Sequence, residues 1–248
     1  MNLTSLRSPT ALLALALFAT SAGAWTGRSV EGSGISRTET RAVSGFTSVG
    51  ISVPGDTEVT QGTSETLSIT ADDNLLAEIE TVVENNALKI RFREKNLNVR
   101  TRTKMKIVLG VKELQGLSIA GSGDVKAGPL KSESLNVSIS GSGDALFERL
   151  EAKSVKVSIA GSGDVTAAGK VDALVISIAG SGDVKAAKLE TKTVAASIAG
   201  SGDATVWASE SLKVRVAGSG DVKYYGNPSI DKSVVGSGRA KHLGAAPG

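Results

Sequence analysis

The chain has 248 residues, enough for one sizeable domain, and its formal net charge at pH 7 is +3. That balance is too even to indicate a nucleic-acid partner, and with only 3% aromatic residues the chain offers no platform on which bases could stack. It contains 29 glycines and no cysteine, so disulfide bonds are excluded. The fold must therefore be held together by its core and its backbone hydrogen bonds.

Residues 1–24 have the composition of an export signal. Arg7 provides a positive charge, an apolar run extends from residue 11 to residue 19, and Ala22-Gly23-Ala24 has the small residues of a cleavage site. The apolar run is shorter than the roughly 18 residues of a membrane helix, and no later stretch approaches that length. We expect an exported protein without a membrane span, in the periplasm or at the cell surface, whose mature chain begins at Trp25.

Residues 25–40 show no hydrophobic period and are predicted to form a linker or a loose strand. From residue 41 to residue 110, short alternating segments separated by turns predict further coils or a β-cap that covers the first edge of the domain, because an uncovered edge invites strand addition from another molecule. Within this part, Asp72-Asp73-Asn74 is predicted to cap one helical turn. Asn85-Asn86 is predicted to form a tight turn between two strands.

A long alternating run extends from Leu97 to Leu109, and it predicts one strand with apolar and threonine side chains on one face. The opposite face would carry four cations, Arg100, Arg102, Lys104 and Lys106. Spaced at about 7 Å, they would form a positive stripe, the best candidate in the sequence for binding an acidic glycan or another envelope component. The alternative is a solvated outer face that is kept charged to discourage aggregation.

From residue 111 onwards the chain is built from a repeat that contains Gly-Ser-Gly-Asp, and a seventh copy replaces the aspartate by arginine. The final residues of the copies are Asp124, Asp144, Asp164, Asp183, Asp203, Asp221 and Arg239, in steps of 20, 20, 19, 20, 18 and 18. A repeat of about 20 residues is typical of a solenoid, in which each unit stacks only on its neighbours.

The residues ahead of each Gly-Ser-Gly-Asp alternate between apolar and small or charged, as at Val155, Val157 and Ile159. This period of two predicts β-strands whose apolar rows stack into one core. Glycine gives the corner its backbone freedom, and aspartate is a common turn residue. A leucine-rich repeat of similar period would need an asparagine that these units lack. We predict an all-β fold, a single-stranded β-helix over 41–239 with regular coils in 111–239, followed by a tail over 240–248.

The six aspartates of the repeat would form a row with a spacing of about 4.8 Å. Such a row could bind cations, but the calcium-binding β-roll uses a nine-residue repeat with a different glycine pattern. Two solvated carboxylates at this spacing repel by only about 0.9 kcal/mol before screening by salt, so no ion is required. We therefore predict structural corner residues, with no metal and no other cofactor.

A second row consists of serines on the outward side of the strands: Ser118, Ser138, Ser158, Ser177, Ser197 and Ser233. Flat strips of hydroxyl groups can bind ice or sugars. Small polar residues also simply fit a closely stacked surface, and Arg215 interrupts the row.

Enzyme chemistry has little support in the sequence. The only histidine, His242, lies in the predicted tail and there is no cysteine, so a Ser-His-Asp or Cys-His constellation cannot be built within the solenoid. The glycine-rich corners lack the Lys-Ser/Thr of a phosphate-binding loop. Some β-helix proteins cleave acidic polysaccharides with Asp, Lys and Arg alone, which keeps a polysaccharide-active enzyme as the alternative.

Several segments resemble one family of exported bacterial proteins, the putative auto-transporter adhesin, head GIN domain family. The matching segments are Arg41-Ala42-Val43, Gly45-Phe46, Ser48-Val49, Gln61-Gly62, 71–76, 84–90 and the Gly-Ser-Gly corners, and the resemblance covers about residues 41–235. It implies a right-handed β-helix and a role at the cell surface. It carries no catalytic residues over to this chain.

The sequence thus predicts an exported, non-enzymatic, adhesin-like β-helix protein that binds a cell-envelope or glycan partner. Two alternatives stay open, namely a polysaccharide-active enzyme and a purely structural envelope protein. A cleft lined by aspartate with lysine or arginine would favour the enzyme, and a smooth solenoid with a charged surface would favour binding.

Overall fold

The computed structural model describes residues 28–247, and the predicted export signal with its cleavage site lies outside this range. The described part is all-β and forms a β-solenoid of about six turns, which confirms the predicted fold class. Its one helix within residues 28–247, α1 (Asp73–Leu76), has a single turn, so no helix of that range is long enough to cross a membrane. The right-handed sense of winding stays a prediction.

Five long strands form the regular part of the solenoid, and each runs through almost one whole coil. They are β11 (Asp124–Gly141), β12 (Ala145–Gly161), β13 (Val165–Gly180), β14 (Val184–Gly200) and β15 (Ala204–Gly218). Each pairs in parallel with the next in the register of the repeat, so that Val137, Val157 and Ile176 lie above one another. The apolar rows predicted from the alternation are the core of the molecule.

Each coil bends between three straight segments. In β11 the alternation of buried and exposed residues breaks twice, where Gly128 and Pro129, and then Glu133 and Ser134, follow each other without a buried residue between them. A strand that keeps alternate side chains in a common core must change direction where two successive residues point away from it. Three faces therefore surround the core.

The glycines between successive coils are required by the stacking. Gly161 has a φ of 135°, a backbone conformation that favours glycine. Two residues later, a Cβ atom on Gly163 would collide with the carbonyl oxygen of Gly143 in the coil below. Because every coil sits one strand spacing above the last, the same steric demand recurs at each copy of the motif.

The N-terminal part covers the first edge of the solenoid. Its strands are β1 (Ser29–Glu31), β2 (Ser36–Arg41), β3 (Ser48–Ser52), β4 (Asp56–Gln61), β5 (Thr66–Asp72), β6 (Ile79–Glu84), β7 (Ala87–Phe92), β8 (Asn98–Arg100), β9 (Lys106–Val111) and β10 (Gly116–Gly121). On one face, β10 continues through β3 and β7 to β6; on another, β11 continues through β4, β9 and β5 to β2. Both faces end on antiparallel strands, β6 and β2.

The predicted tight turn is confirmed, since Asn85 and Asn86 join β6 to β7 with positive φ values of 51° and 61°. The predicted helical turn is also present, as α1 directly after Asp72, but the side chain of Asp72 makes no capping hydrogen bond to it. In the described part of residues 25–40 the structure has strands rather than a linker, because β1 pairs with β8 and β2 pairs with β5. A segment without a hydrophobic period can still form strands when its partners supply the backbone hydrogen bonds.

The single strand predicted from Leu97 to Leu109 is wrong. Residues 101–105 separate β8 from β9. Asp72, which is completely buried, accepts hydrogen bonds from the backbone N–H groups of Arg102 and Thr103 at 3.0 and 3.2 Å and of Gly34 at 2.8 Å. These bonds hold the backbone at 102–103 away from a strand ladder.

The C-terminal end consists of β16 (Val222–Tyr225), β17 (Ser229–Gly236) and β18 (Ala240–Gly244). The tail predicted for 240–248 is therefore corrected, since β18 pairs in parallel with β16. β17 pairs with β15, and its side chains are exposed except for the half-buried Val234. Unlike the N-terminal end, this end of the core is open within the described residues.

Candidate functional site

The aspartate row is a ladder of carboxylates and backbone amides. In each step one carboxylate Oδ1 accepts a hydrogen bond from the backbone N–H of the aspartate in the next coil. The accepting and donating pairs are Asp124 with Asp144, Asp144 with Asp164, Asp164 with Asp183, Asp183 with Asp203 and Asp203 with Asp221, at 2.8 to 3.0 Å. Asp221 makes the last bond, to the N–H of Arg239 at 2.8 Å. This arrangement gives the carboxylates a structural task between coils.

Lysines on the neighbouring face offset part of the row's negative charge. The Nζ of Lys185 lies 2.6 Å from Asp164 Oδ2, and the Nζ of Lys223 lies 2.9 Å from Asp203 Oδ2. The hydrogen bond to Asp164 raises the pKa of Lys185, and the hydrogen bond to Asp203 raises that of Lys223. In residues 28–247, three or more His, Cys, Asp or Glu side chains nowhere gather in a geometry that could hold a metal ion.

The four basic residues predicted as a stripe do not share one strand face, because β8 and β9 are separate. Three of them lie beside a carboxylate: Arg102 is 2.9 Å from Glu31, Lys104 is 3.5 Å from Asp56 and Lys106 is 2.9 Å from Glu58. The fourth, Arg100, lies at the end of the short strand β8. The sequence spacing could not reveal these acidic partners, which come from β1 and β4. The local positive charge is therefore weaker than predicted.

The serine row is in register from coil to coil on the outward side of one face. Ser118, Ser138, Ser158, Ser177 and Ser197 stack in parallel, Arg215 follows, and Ser233 ends the row. Arg215 lies 3.1 Å from Asp231, so the interruption is an ion pair rather than a hydroxyl group.

A cationic cavity lies at the open end of the last coil, with a volume of ≈ 850 Å³. We call it the C-terminal cavity. Its charged and aromatic lining comprises Asp221, Lys223, Lys232, Arg239, Lys241 and His242. Four of these side chains are basic cations and one is an acid. The sequence does not reveal that these residues lie together, because Lys232 meets the others only through the pairing of β17 with β15.

His242 lies at the exposed end of one inward row of side chains. His242 stacks on Tyr224 with their ring centres 5.1 Å apart, and its Nε2 lies 2.8 Å from the carbonyl oxygen of Gly226. Tyr224 is itself in register with the buried Val206, so the two rings continue an inward row of the solenoid. The ring of His242 is thus fixed as the outermost member of that row.

The family model described as "Putative auto-transporter adhesin, head GIN domain" matches residues 45–228. The chain belongs to this family. The match confirms the family resemblance noted in the sequence. The matched residues 45–228 form most of the β-solenoid. No match was found among curated proteins.

Solved structures share the fold over nearly the same length. A putative adhesin from Bacteroides fragilis NCTC 9343 is 30% identical with a TM-score of 0.80, and the match covers 86% of this chain and 100% of that one. A putative lipid binding protein from Parabacteroides distasonis ATCC 8503 is 28% identical with a TM-score of 0.73, covering 87% and 100%. A putative adhesin from Parabacteroides merdae ATCC 43184, 23% identical with a TM-score of 0.68 and covering 88% and 100%, shows likeness of fold alone.

Proposed function

We propose that this head GIN domain protein is an exported, non-enzymatic, adhesin-like protein that binds an anionic component of the cell envelope, an acidic glycan. One observation carries the proposal. The solenoid places outward side chains in rows that are in register from coil to coil, such as Ser138, Ser158 and Ser177, until Arg215 interrupts this row. A rigid surface of this kind suits attachment to an extended polymer, because many weak contacts with its repeating units add up through multivalency.

The local distribution of charge supports an anionic partner, although the chain as a whole is nearly balanced, with 28 lysines and arginines against 25 acidic residues. Many exposed cations along the solenoid face acids of neighbouring coils, as in Lys153 with Glu133 and Lys192 with Asp172. The C-terminal cavity is the place where basic side chains outnumber acidic ones most clearly among the charged groups described above.

The enzyme alternative has a specific place in the structure. A groove of ≈ 460 Å³ along the aspartate row is lined by Asp124, Asp144 and Asp164 together with Lys126 and Lys185. A polysaccharide-cleaving enzyme would need a free carboxylate or base there. In each of these aspartates Oδ1 already accepts a backbone N–H, which favours a structural role over an acid–base role.

The proposal is tested by retention of the purified protein on beads that carry an acidic or a neutral glycan, across a series of salt concentrations. We expect retention on the acidic beads at low salt that fades towards physiological salt, because exposed charges are screened within about 8–10 Å. Retention that is equal on both bead types and insensitive to salt would refute an anionic partner. Shortening of the glycan during the assay would move the assignment to the enzyme.

A matched variant examines the basic residues near the N-terminal end. Replacing Arg100, Arg102, Lys104 and Lys106 by serine should reduce retention only slightly, because Glu31, Asp56 and Glu58 already offset three of the four charges. A complete loss of retention in a variant that still folds would place the binding at these four residues after all.

A further inference from the structure

The last coil exposes positions that are buried in every coil before it. Ile230, Lys232 and Val234 of β17 pair with Leu212, Val214 and Val216 of β15, which are all buried. They therefore point towards the inside of the solenoid, yet Ile230 and Lys232 are exposed and Val234 is half-buried. Within residues 28–247, no further strand pairs with β17, so this end face is exposed.

Two side chains on this end face disfavour another coil or a second copy of the chain. Lys232 occupies a row that holds Val137, Val157, Ile176, Ala196 and Val214 in earlier coils. Stacking a further strand on it would bury an uncompensated ammonium group, and an inward-pointing charge is a known means of protecting an edge strand.

Arg239 provides the second obstacle. In the six preceding copies of the motif an aspartate accepts the backbone N–H of the next coil, as Asp221 accepts that of Arg239. The guanidinium group of Arg239 has no acceptor atom, so the ladder cannot be continued beyond it. Both obstacles replace a residue of the repeat by a cation, which leaves the end face suited to an anion.

The positive charge of the end face is only weakly compensated. Within residues 28–247, Lys232, Arg239 and Lys241 have no carboxylate within ion-pair distance, whereas Lys223 lies 2.9 Å from Asp203. Asp221 is the acid in the cavity lining, and its Oδ1 accepts the N–H of Arg239. Three cations that converge on one cavity form a site for carboxylate groups.

The cavity also has an aromatic wall. The ring of His242 is held against Tyr224 and by the carbonyl oxygen of Gly226, and His242 is the exposed end of this stack. An aromatic ring fixed in place presents an apolar face, against which the apolar face of a sugar ring can pack. Cations beside such a ring favour a sugar that carries a carboxylate over a simple inorganic anion.

We propose that the C-terminal cavity binds the carboxylate groups of a uronic-acid glycan, through Lys232, Arg239 and Lys241, with one sugar ring packed on His242. This proposal rests on the proposed function and names the site and the chemical class of its ligand. Lys232 and Arg239 disfavour a second copy of the chain as the ligand. An anionic lipid surface is also disfavoured, because the basic residues lie on a small end face and do not form a broad basic surface.

The test compares two triple variants of the full protein by titration calorimetry with an oligogalacturonate. In the cavity variant Lys232, Arg239 and Lys241 become serine. In the control variant three exposed lysines on the outer faces, Lys131, Lys156 and Lys213, become serine, which removes the same charge elsewhere. We expect the cavity variant to bind at least about tenfold more weakly and the control variant to stay within about twofold of the original protein.

Further arms separate the possible sources of binding. His242→Ala should weaken binding of oligogalacturonate while leaving the charge of the three cations intact. Equal losses in the cavity and control variants would overturn the assigned site. Binding to phosphatidylglycerol vesicles but not to oligogalacturonate would overturn the proposed ligand class in favour of a lipid. If light scattering showed dimers that form with increasing protein concentration and are absent in the cavity variant, the end face would instead bind a second copy of the chain.

Failure of the site can be told apart from failure of the proposed function. Retention of the original protein on acidic beads, with no difference between the two triple variants, would leave the proposed function standing and remove the cavity from it. Absence of retention by the original protein on any anionic probe would overturn both.

Discussion

At the scale of single residues, the place of a side chain in the repeat decides whether it is buried. Val157 is 3% exposed and lies in register between Val137 and Ile176, whereas its neighbour Lys156 is exposed. Both positions could be predicted from the sequence, because the period of two fixes the face and the 20-residue repeat fixes the stacking.

The register predicts opposite outcomes for two adjacent substitutions. Val157→Asp would bury an unpaired carboxylate in the core and should lower the free energy of unfolding by several kcal/mol. Lys156→Asp, which changes the charge even more, should stay within about half a kcal/mol of the original protein. Chemical denaturation of both variants measures the difference, and similar losses in the two would contradict the register.

At the scale of elements, the repeat was predictable and the irregular N-terminal part was only partly so. The turn at Asn85 and Asn86 and the helical turn after Asp72 follow from local chemistry. The alternation from Leu97 to Leu109 led to the wrong prediction of a single strand. The alternation gives no sign that the buried carboxylate of Asp72, 30 residues before Arg102, accepts hydrogen bonds from the backbone N–H groups of residues 102 and 103.

Asp72 makes the stability of this part depend on pH. Burial alone would raise its pKa, but backbone N–H groups, those of Thr103, Arg102 and Gly34, outweigh it and hold the pKa below the ordinary value of 3.8. A depressed pKa contributes stability that is fully present above pH 3.8 and is lost as the pH falls through the lower, folded-state pKa.

The comparison is with Asp72→Asn, which presents one acceptor oxygen and a mismatched NH₂ group to the same three donors. We expect this variant to be less stable at neutral pH and to lose less of its stability on acidification below pH 3.8 than the original protein. Thermal melting at several pH values checks both points. Parallel curves for the two proteins would show that Asp72 does not contribute.

The carboxylate ladder makes a separate prediction for the contact between coils. Asp164→Ala removes the acceptor of the N–H of Asp183 and should cost roughly 1 kcal/mol, whereas Asp164→Asn keeps an acceptor oxygen and should cost less. Denaturation of the two variants gives the comparison. If alanine and asparagine were equally tolerated, the hydrogen bonds along the row would have no role in stacking.

At the scale of the whole molecule, the two ends of the solenoid differ. The N-terminal end is covered by β2, β5, β6 and β7, and sequence reasoning anticipated such a cap. The open, cationic C-terminal end was not predictable, because the inward position of Lys232 becomes visible only when β17 is placed on β15. Residues that depart from the repeat, such as Lys232, therefore indicate where the stacking of coils ends, just as the repeated residues indicate where it continues.

The whole-molecule account also predicts the response to cations. If the aspartate row binds backbone amides and lysines rather than metal, neither a chelator nor added calcium should shift the melting temperature appreciably. A ligand that binds only the folded state must stabilise it, so a rise of many degrees with calcium would assign the row a metal after all.

The most direct test of the central claim is the retention of the purified protein on isolated cell envelopes before and after enzymatic removal of their acidic polysaccharide. Strong retention on intact envelopes at low salt, lost both on removal of the polysaccharide and at physiological salt, is the result predicted for an adhesin-like solenoid with an anionic glycan partner. Retention that survives removal of the polysaccharide would contradict it.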